Sequence, residues 1–201
     1  MIKKNNLKAL ISFITILSLL LSLTIPAFAT GTSASLLLIT PVGQQPDVNI
    51  CWAACDASMI NYMKITNHTA KDIAITYYGS NYNQEIQPYD NINKVLPSYH
   101  LPIAYGYNLT SPSPDVILKT LTLNYGGVNG YTICATYAPV SGGDKHICLI
   151  TAINTITHTF TIMDPWDASF KTFTYTDNTY SFKESNGATY QCVAYGGPPL
   201  N

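Results

Sequence analysis

From Cys51 to Lys64 the apolar residues Trp52, Ala53, Met59, Ile60 and Met63 recur at i, i+1, i+7, i+8 and i+11, one stripe of a helix. This spacing predicts a helix over 51–64, with Pro46, Asp47 and Asn49 ahead of it as turn and capping residues. A second helix is predicted from Thr69, whose Thr-x-x-Asp spacing to Asp72 has the form of a capping box, to about Tyr78. The polar stretch Gly79–Pro88 reads as a loop, and a short helix near Asp90–Leu96 ends at Pro97. Ser113-Pro114-Asp115 opens a further helix that carries Val116, Ile117, Leu121 and Leu123, and Gly126-Gly127 stops it.

Beyond this point the pattern changes to short runs rich in β-branched and aromatic residues: Tyr131–Ala138, His146–Ile153, Thr159–Met163, Phe170–Tyr175 and Thr189–Tyr195. Gly, Pro, Asn and Asp separate them. Leu36–Ile39 reads as a short buried strand halted by Pro41 and Gly43, and Leu101–Tyr107 as another strand. Helices first and strands later is an α+β order. The strand connections are too short for helical crossovers, so the sheet should be largely antiparallel. No internal repeat or linker divides the body, so 30–201 reads as one domain.

The first 29 residues have a different character. Lys3, Lys4 and Lys8 precede an apolar stretch from Ala9 to Ile25, and Ala27-Phe28-Ala29 fits a small-x-small cleavage site. A secretory signal peptide over 1–29 is expected, giving a secreted or cell-wall-associated protein without stable membrane association once the signal is removed. The remainder would carry seven lysines against eleven acids, with no arginine anywhere in the chain. Without a basic run there is no electrostatic footprint for nucleic acid. Charged residues are only 10% of the whole and hydrophobic ones 47%, which argues for a folded body and against disorder.

Five cysteines lie in that body: Cys51, Cys55, Cys134, Cys148 and Cys192. An odd number in an exported chain allows one free, reactive thiol beside two disulfides of open connectivity. The other reading is buried thiols, since Cys55, Cys134 and Cys148 sit inside apolar runs. The spacings match no zinc pattern, and neither a metal nor a cofactor is expected.

Candidate chemistry centres on Gln45, Cys51, His146 and Asp164. Cys51 opens its helix, where backbone N–H groups and the helix dipole favour an anion. His146 follows a flexible Ser-Gly-Gly-Asp-Lys loop and starts an apolar strand, at the rim of a core. His68, His100 and His158 fall between helices, in a Pro-flanked loop and at a hairpin tip. Asp164 comes 18 residues after His146, a separation that two hairpin strands span, so its carboxylate can orient the imidazole. Gln45 stands six residues before the thiol.

The ordered set Gln-x5-Cys-Trp, then His, then Asp-Pro-Trp resembles the papain-like cysteine peptidases. The likeness is closest to small bacterial branches with a Cys-Trp-Ala-Ala box. Asp164-Pro165-Trp166-Asp167 also looks like the late Asn-Pro-Trp-Asp segment of staphopains, with Asp where papain itself has Asn. The resemblance spans about residues 40–195 and implies a two-lobed fold, a helical lobe facing a lobe formed by an antiparallel sheet or barrel. It implies Cys51 as nucleophile, His146 as base and then acid, Asp164 as orienter, and Gln45 with the Cys51 N–H as oxyanion donors. Gln44 competes with Gln45 but is one residue off the family spacing. Trp52 and Trp166 are expected at the cleft, Trp166 shielding the His–Asp bond. The implied activity is a secreted endopeptidase acting on a protein or peptide substrate. A thiol amidase or peptidase acting on peptidoglycan, and a catalytically silent binding or effector protein, are the alternatives.

Overall fold

The apolar run that begins at Ile147 becomes the middle of the central strand. The computed structural model describes residues 32–47, 49–101, 104–176, 179–183 and 187–200, so the expected signal peptide, 1–29, lies outside the described residues. In chain order the elements are β1 (Ser33–Ser35), α1 (Cys51–Lys64) and α2 (Ala70–Tyr78). Next comes a helical run, α3, of three pieces: Pro88–Asp90, a π-helical Asn91–Val95, and Leu96–Ser98. Then follow β2 (Gly106–Asn108), α4 (Pro114–Thr122), β3 (Asn124–Tyr125), β4 (Val128–Asn129) and β5 (Ile133–Pro139). The C-terminal part is β6 (His146–Asn154), β7 (Thr159–Asp164), β8 (Ser169–Thr174), β9 (Ser181–Lys183) and β10 (Thr189–Gly197). The architecture is α+β, with four helices and a large antiparallel sheet.

The main sheet has the order β2-β10-β5-β6-β7-β8, with β1 added to β6 and β9 to β10, and all its pairings are antiparallel. Closure into a barrel, one of the forms expected for this half, does not occur. β2 and β8 stand at opposite ends of the order, and β2 offers only three residues, all paired to the end of β10.

The local signals that held are those with a hydrogen-bonding mechanism. Thr69 Oγ1 accepts from the Asp72 N–H at 3.1 Å, and Asp72 Oδ2 accepts from the Thr69 N–H at 2.8 Å, completing the capping box. Ser113 Oγ accepts from the Val116 N–H at 3.2 Å and starts α4. Three expectations need correction. The first strand falls on Ser33–Ser35, not Leu36–Ile39. Leu36 and Ile39 are buried while Leu37 and Leu38 face solvent, the period of a turn rather than of a strand. The residue at the N-cap of α1 is Ile50, with no side-chain bond, because Asn49 is engaged with Asn83 instead. α4 stops at Thr122, and Gly126-Gly127 supply the positive φ of the β3–β4 turn.

α1 is buried far more widely than the expected stripe, with ten of its fourteen residues inside. Small residues at 53, 54, 57 and 58 let it lie close against β6, while α2 covers its other side. An aromatic layer also helps close the core around the sheet. Phe173 and Phe182 stack at 5.2 Å, Phe182 and Tyr190 at 5.5 Å, and Phe160 meets Tyr180 edge-on at 5.2 Å. Such pairs add about 0.5–1.5 kcal/mol each beyond the apolar area they bury. Among the described residues no helix is long and apolar enough to cross a membrane.

Candidate active site

Cys51 is the first residue of α1 and is partly exposed. The N–H groups of a helix's first turn have no partner within the helix, and the side chain of the N-cap residue Ile50 offers them none. One turn further on, Cys55 Sγ donates to the Ile147 carbonyl at 3.3 Å and ties α1 to β6 beside His146. Ser58 Oγ donates to the Ala54 carbonyl at 3.0 Å and accepts from the Val42 N–H at 2.9 Å, fixing the segment that leads to the helix.

His146 begins β6, and Asp164 ends the neighbouring β7. His146 Nε2 and Asp164 Oδ1 lie 2.8 Å apart. The carboxylate is almost wholly buried, and its other contacts are with Lys171 Nζ at 2.5 Å and the Trp166 N–H at 2.9 Å. Burial favours the neutral acid, but the His146 hydrogen bond and charge, followed by Lys171, outweigh it and hold Asp164 well below the usual carboxylate range. For His146, burial opposes the charged ring. The Cys148 sulfur and the hydrogen bonds from Asp164, Cys148 and Cys51 override it, and the ring stays protonated to higher pH than a free histidine. At neutral pH Asp164 is ionised, whereas the Cys148 thiol, pushed up to about 11 by burial, is not.

Sequence reasoning gave Cys148 a disulfide or a packing role and none in the site. One donor atom from each of His146, Cys148 and Asp164 lies within 4.8 Å of the others. The signal was present in the His-x-Cys spacing, since residues two apart on a strand share a face. Cys51 and Cys148 both lie near enough to the His146 ring to help hold its proton. They differ in access: Cys148 is fully buried, whereas Cys51 opens onto a cleft of about 220 Å³. Ile86 and Pro88 form one side of this cleft, and Gly143, Asp144 and Ile147 the other. The remaining thiols, Cys55, Cys134 and Cys192, are buried, and all five cysteines are unbridged.

The two glutamines part company. Gln44 is 1% exposed, with its N–H bonded to the Pro165 carbonyl at 2.8 Å, next to Asp164. Gln45, at the spacing singled out in the sequence, is exposed. Trp52 lines the cleft but is buried, and its indole N–H donates to the Gln84 carbonyl at 2.9 Å, bracing the cleft wall against α1. Trp166 is 51% exposed and reaches Asp164 through its backbone N–H.

The site therefore holds a partly exposed thiol at a helix start and an imidazole set by a buried carboxylate, a combination compatible with thiol chemistry. Comparison with protein-family models finds none that matches this chain, and comparison with curated proteins finds no match either.

Proposed function

We propose that this protein is a secreted, papain-like cysteine peptidase that hydrolyses peptide bonds in a protein or peptide substrate. The observation that carries the reading is the His146–Asp164 pair at 2.8 Å, with the partly exposed Cys51 at a helix start near enough to influence the same ring. In this reading the helices and the sheet form two lobes that meet at the cleft beside Cys51.

The roles follow from position. His146 holds the Cys51 proton as an imidazolium while the sulfur attacks the substrate carbonyl, and Asp164 fixes the ring's orientation and balances its charge. The carbonyl electron pair moves onto oxygen, where the Cys51 N–H and a glutamine side chain receive it. Each such donor is worth about 3 kcal/mol in a water-excluded site. The tetrahedral intermediate collapses, the C–N bond breaks, and His146 returns the proton to the leaving amine. Water, deprotonated by the same imidazole, then cleaves the thioester. Spacing points to Gln45 for the side-chain donor, while burial beside Pro165 points to Gln44.

The test uses residues 30–201 with and without Cys51→Ala, labelled with an epoxide thiol reagent and incubated separately with unfolded protein and with cell walls. Labelling and protein digestion that both vanish in Cys51→Ala are expected. Labelling that persists in the variant moves the nucleophile elsewhere, digestion of cell walls alone moves the substrate to peptidoglycan, and a wild type that does neither leaves only a binding role.

A further inference from the structure

The Asp164 carboxylate meets more than the ring it orients. Oδ1 faces His146 Nε2 at 2.8 Å and accepts from the Trp166 N–H at 2.9 Å, while Oδ2 accepts from Lys171 Nζ at 2.5 Å. Strand register brings the lysine there. Asp164 lies opposite Ser169 of β8, and Lys171, two residues further on, shares that face of the sheet and reaches Asp164 along the diagonal. Asp167 Oδ2 holds Lys171 from the other side at 3.4 Å, and Asp167 Oδ1 accepts from Ser169 Oγ at 2.6 Å. Opposite charges thus alternate from a His146 imidazolium through Asp164 and Lys171 to Asp167.

We propose that Lys171 is a positioning residue of the hydrolytic site: bound to the Asp164 oxygen that His146 does not use, it limits how strongly that carboxylate holds the proton on the ring. Its part in proton release rests on the peptidase reading, and its electrostatic hold on His146 does not. To orient an imidazole, a residue need only accept the hydrogen bond from Nε2. A carboxylate adds a full negative charge 2.8 Å from the ring, and this one is buried where water screens it little. Such a charge favours the imidazolium. It helps while the thiolate attacks. It hinders the next step, in which Nδ1 must give its proton to the leaving amine as the C–N electron pair passes to nitrogen. Lys171 sets a positive charge against the far oxygen of the same carboxylate. That cation offsets the field of Asp164 at the ring, so one imidazole can hold the proton in the first step and release it in the second.

The other titratable groups around the pair are Cys148 on β6 and Cys51 on α1 at the ring side, and Asp167 in the β7–β8 turn beyond Lys171. The Cys148 thiol carries no charge at neutral pH, and Asp167 faces Lys171 from the exposed side.

The test has two readouts on the full-length chain. The His146 ring is titrated by NMR on a Cys51→Ala background, where the thiol cannot share its proton, with its signal assigned by loss in His146→Gln. Digestion of an unfolded protein is measured across pH with Cys51 present. Lys171→Met removes the charge and is expected to raise the His146 midpoint by about one pH unit. The alkaline limb of digestion, where His146 loses its proton, should rise with it, and turnover on the plateau should fall several-fold. Lys171→Arg keeps the charge and should leave both readouts close to wild type. Where Lys171→Met does not fold, the same rise is read between Asp164→Asn and Asp164→Asn/Lys171→Met, which leaves neither charge behind. A midpoint that stays in place when Lys171 is removed, or moves equally in Lys171→Arg, overturns the proposal, as does a raised midpoint with unchanged turnover. A midpoint that rises in a chain whose wild type digests nothing and resists the epoxide reagent overturns the peptidase reading and leaves the hold of Lys171 on His146 standing.

Discussion

Cys55 donates its S–H to the carbonyl oxygen of Ile147 at 3.3 Å, and this bond joins α1, one turn in from its start, to the strand residue beside His146. Burial pushes the Cys55 thiol well above its ordinary range, so it remains a donor. Cys51 lies one turn before it on the same helix.

Cys55→Ala removes the donor to the Ile147 carbonyl and opens a small cavity. A loss of about 1–3 kcal/mol is expected from urea unfolding. Under folding conditions Cys51 should still be labelled once per chain, but more slowly. An unchanged labelling rate would mean that α1 is held by its other contacts alone.

Asp164 stands between two cations, and removing it leaves both in the interior. Asp164→Ala should cost about 3–5 kcal/mol at pH 7, and Lys171→Ala, at a more exposed partner, about 1 kcal/mol. The folded carboxyl ionises below its unfolded value of about 3.9. Its contribution is therefore full above that value and is lost as pH falls through the folded one. The gap between wild type and Asp164→Ala should shrink steadily below about pH 4 in denaturant titrations.

Asp56 gives the opposite slope. It is fully buried in α1 and accepts from the Asn91 amide at 3.1 Å, while Asp56 Oδ2 and Asn91 Oδ1 have no partner among the described residues. Burial raises this carboxyl well above its ordinary range, against the pull of Asn91. A proton on Asp56 supplies the donor that both oxygens lack. Stability from this pair is full below about pH 3.9 and declines as pH rises toward the folded value. Asp56→Asn carries a permanent donor, so its stability relative to wild type should increase from pH 4 to pH 8, approximately in step with the unfolded carboxyl's ionisation. A difference independent of pH would show that Asp56 is ionised in the fold.

The glutamine pair separates by kinetics. An oxyanion donor works best where water is excluded, which describes Gln44. Gln44→Ala is expected to lower kcat about 10²–10³-fold and Gln45→Ala less than about tenfold. The reverse order would assign the role to Gln45.

Much of this architecture was legible because its signals are local. Thr69 and Asp72 cap one another within a single turn, Ser113-Pro114 starts a helix, and the strands from β5 onward carry their own apolar and aromatic runs. The His146–Asp164 pair was legible for a similar reason, since adjacent antiparallel strands bring residues at that separation together. What escaped depends on distant partners. Asn49 is drawn from capping by Asn83, and Lys171 reaches Asp164 from the next strand. No periodicity within one element reports on such contacts.

The bond between Cys55 and Ile147 joins residues 92 apart in sequence, and β6 itself pairs with β1 near the start of the described chain and β5 and β7 near its end. Contacts of that range form late, because the intervening chain must be ordered before they are rewarded. The helix bearing the thiol is synthesised long before the strand bearing its base. Topology thus acts as a timer: the growing chain carries Cys51 well before His146, and the pair can meet only once β6 has joined β5 and β7.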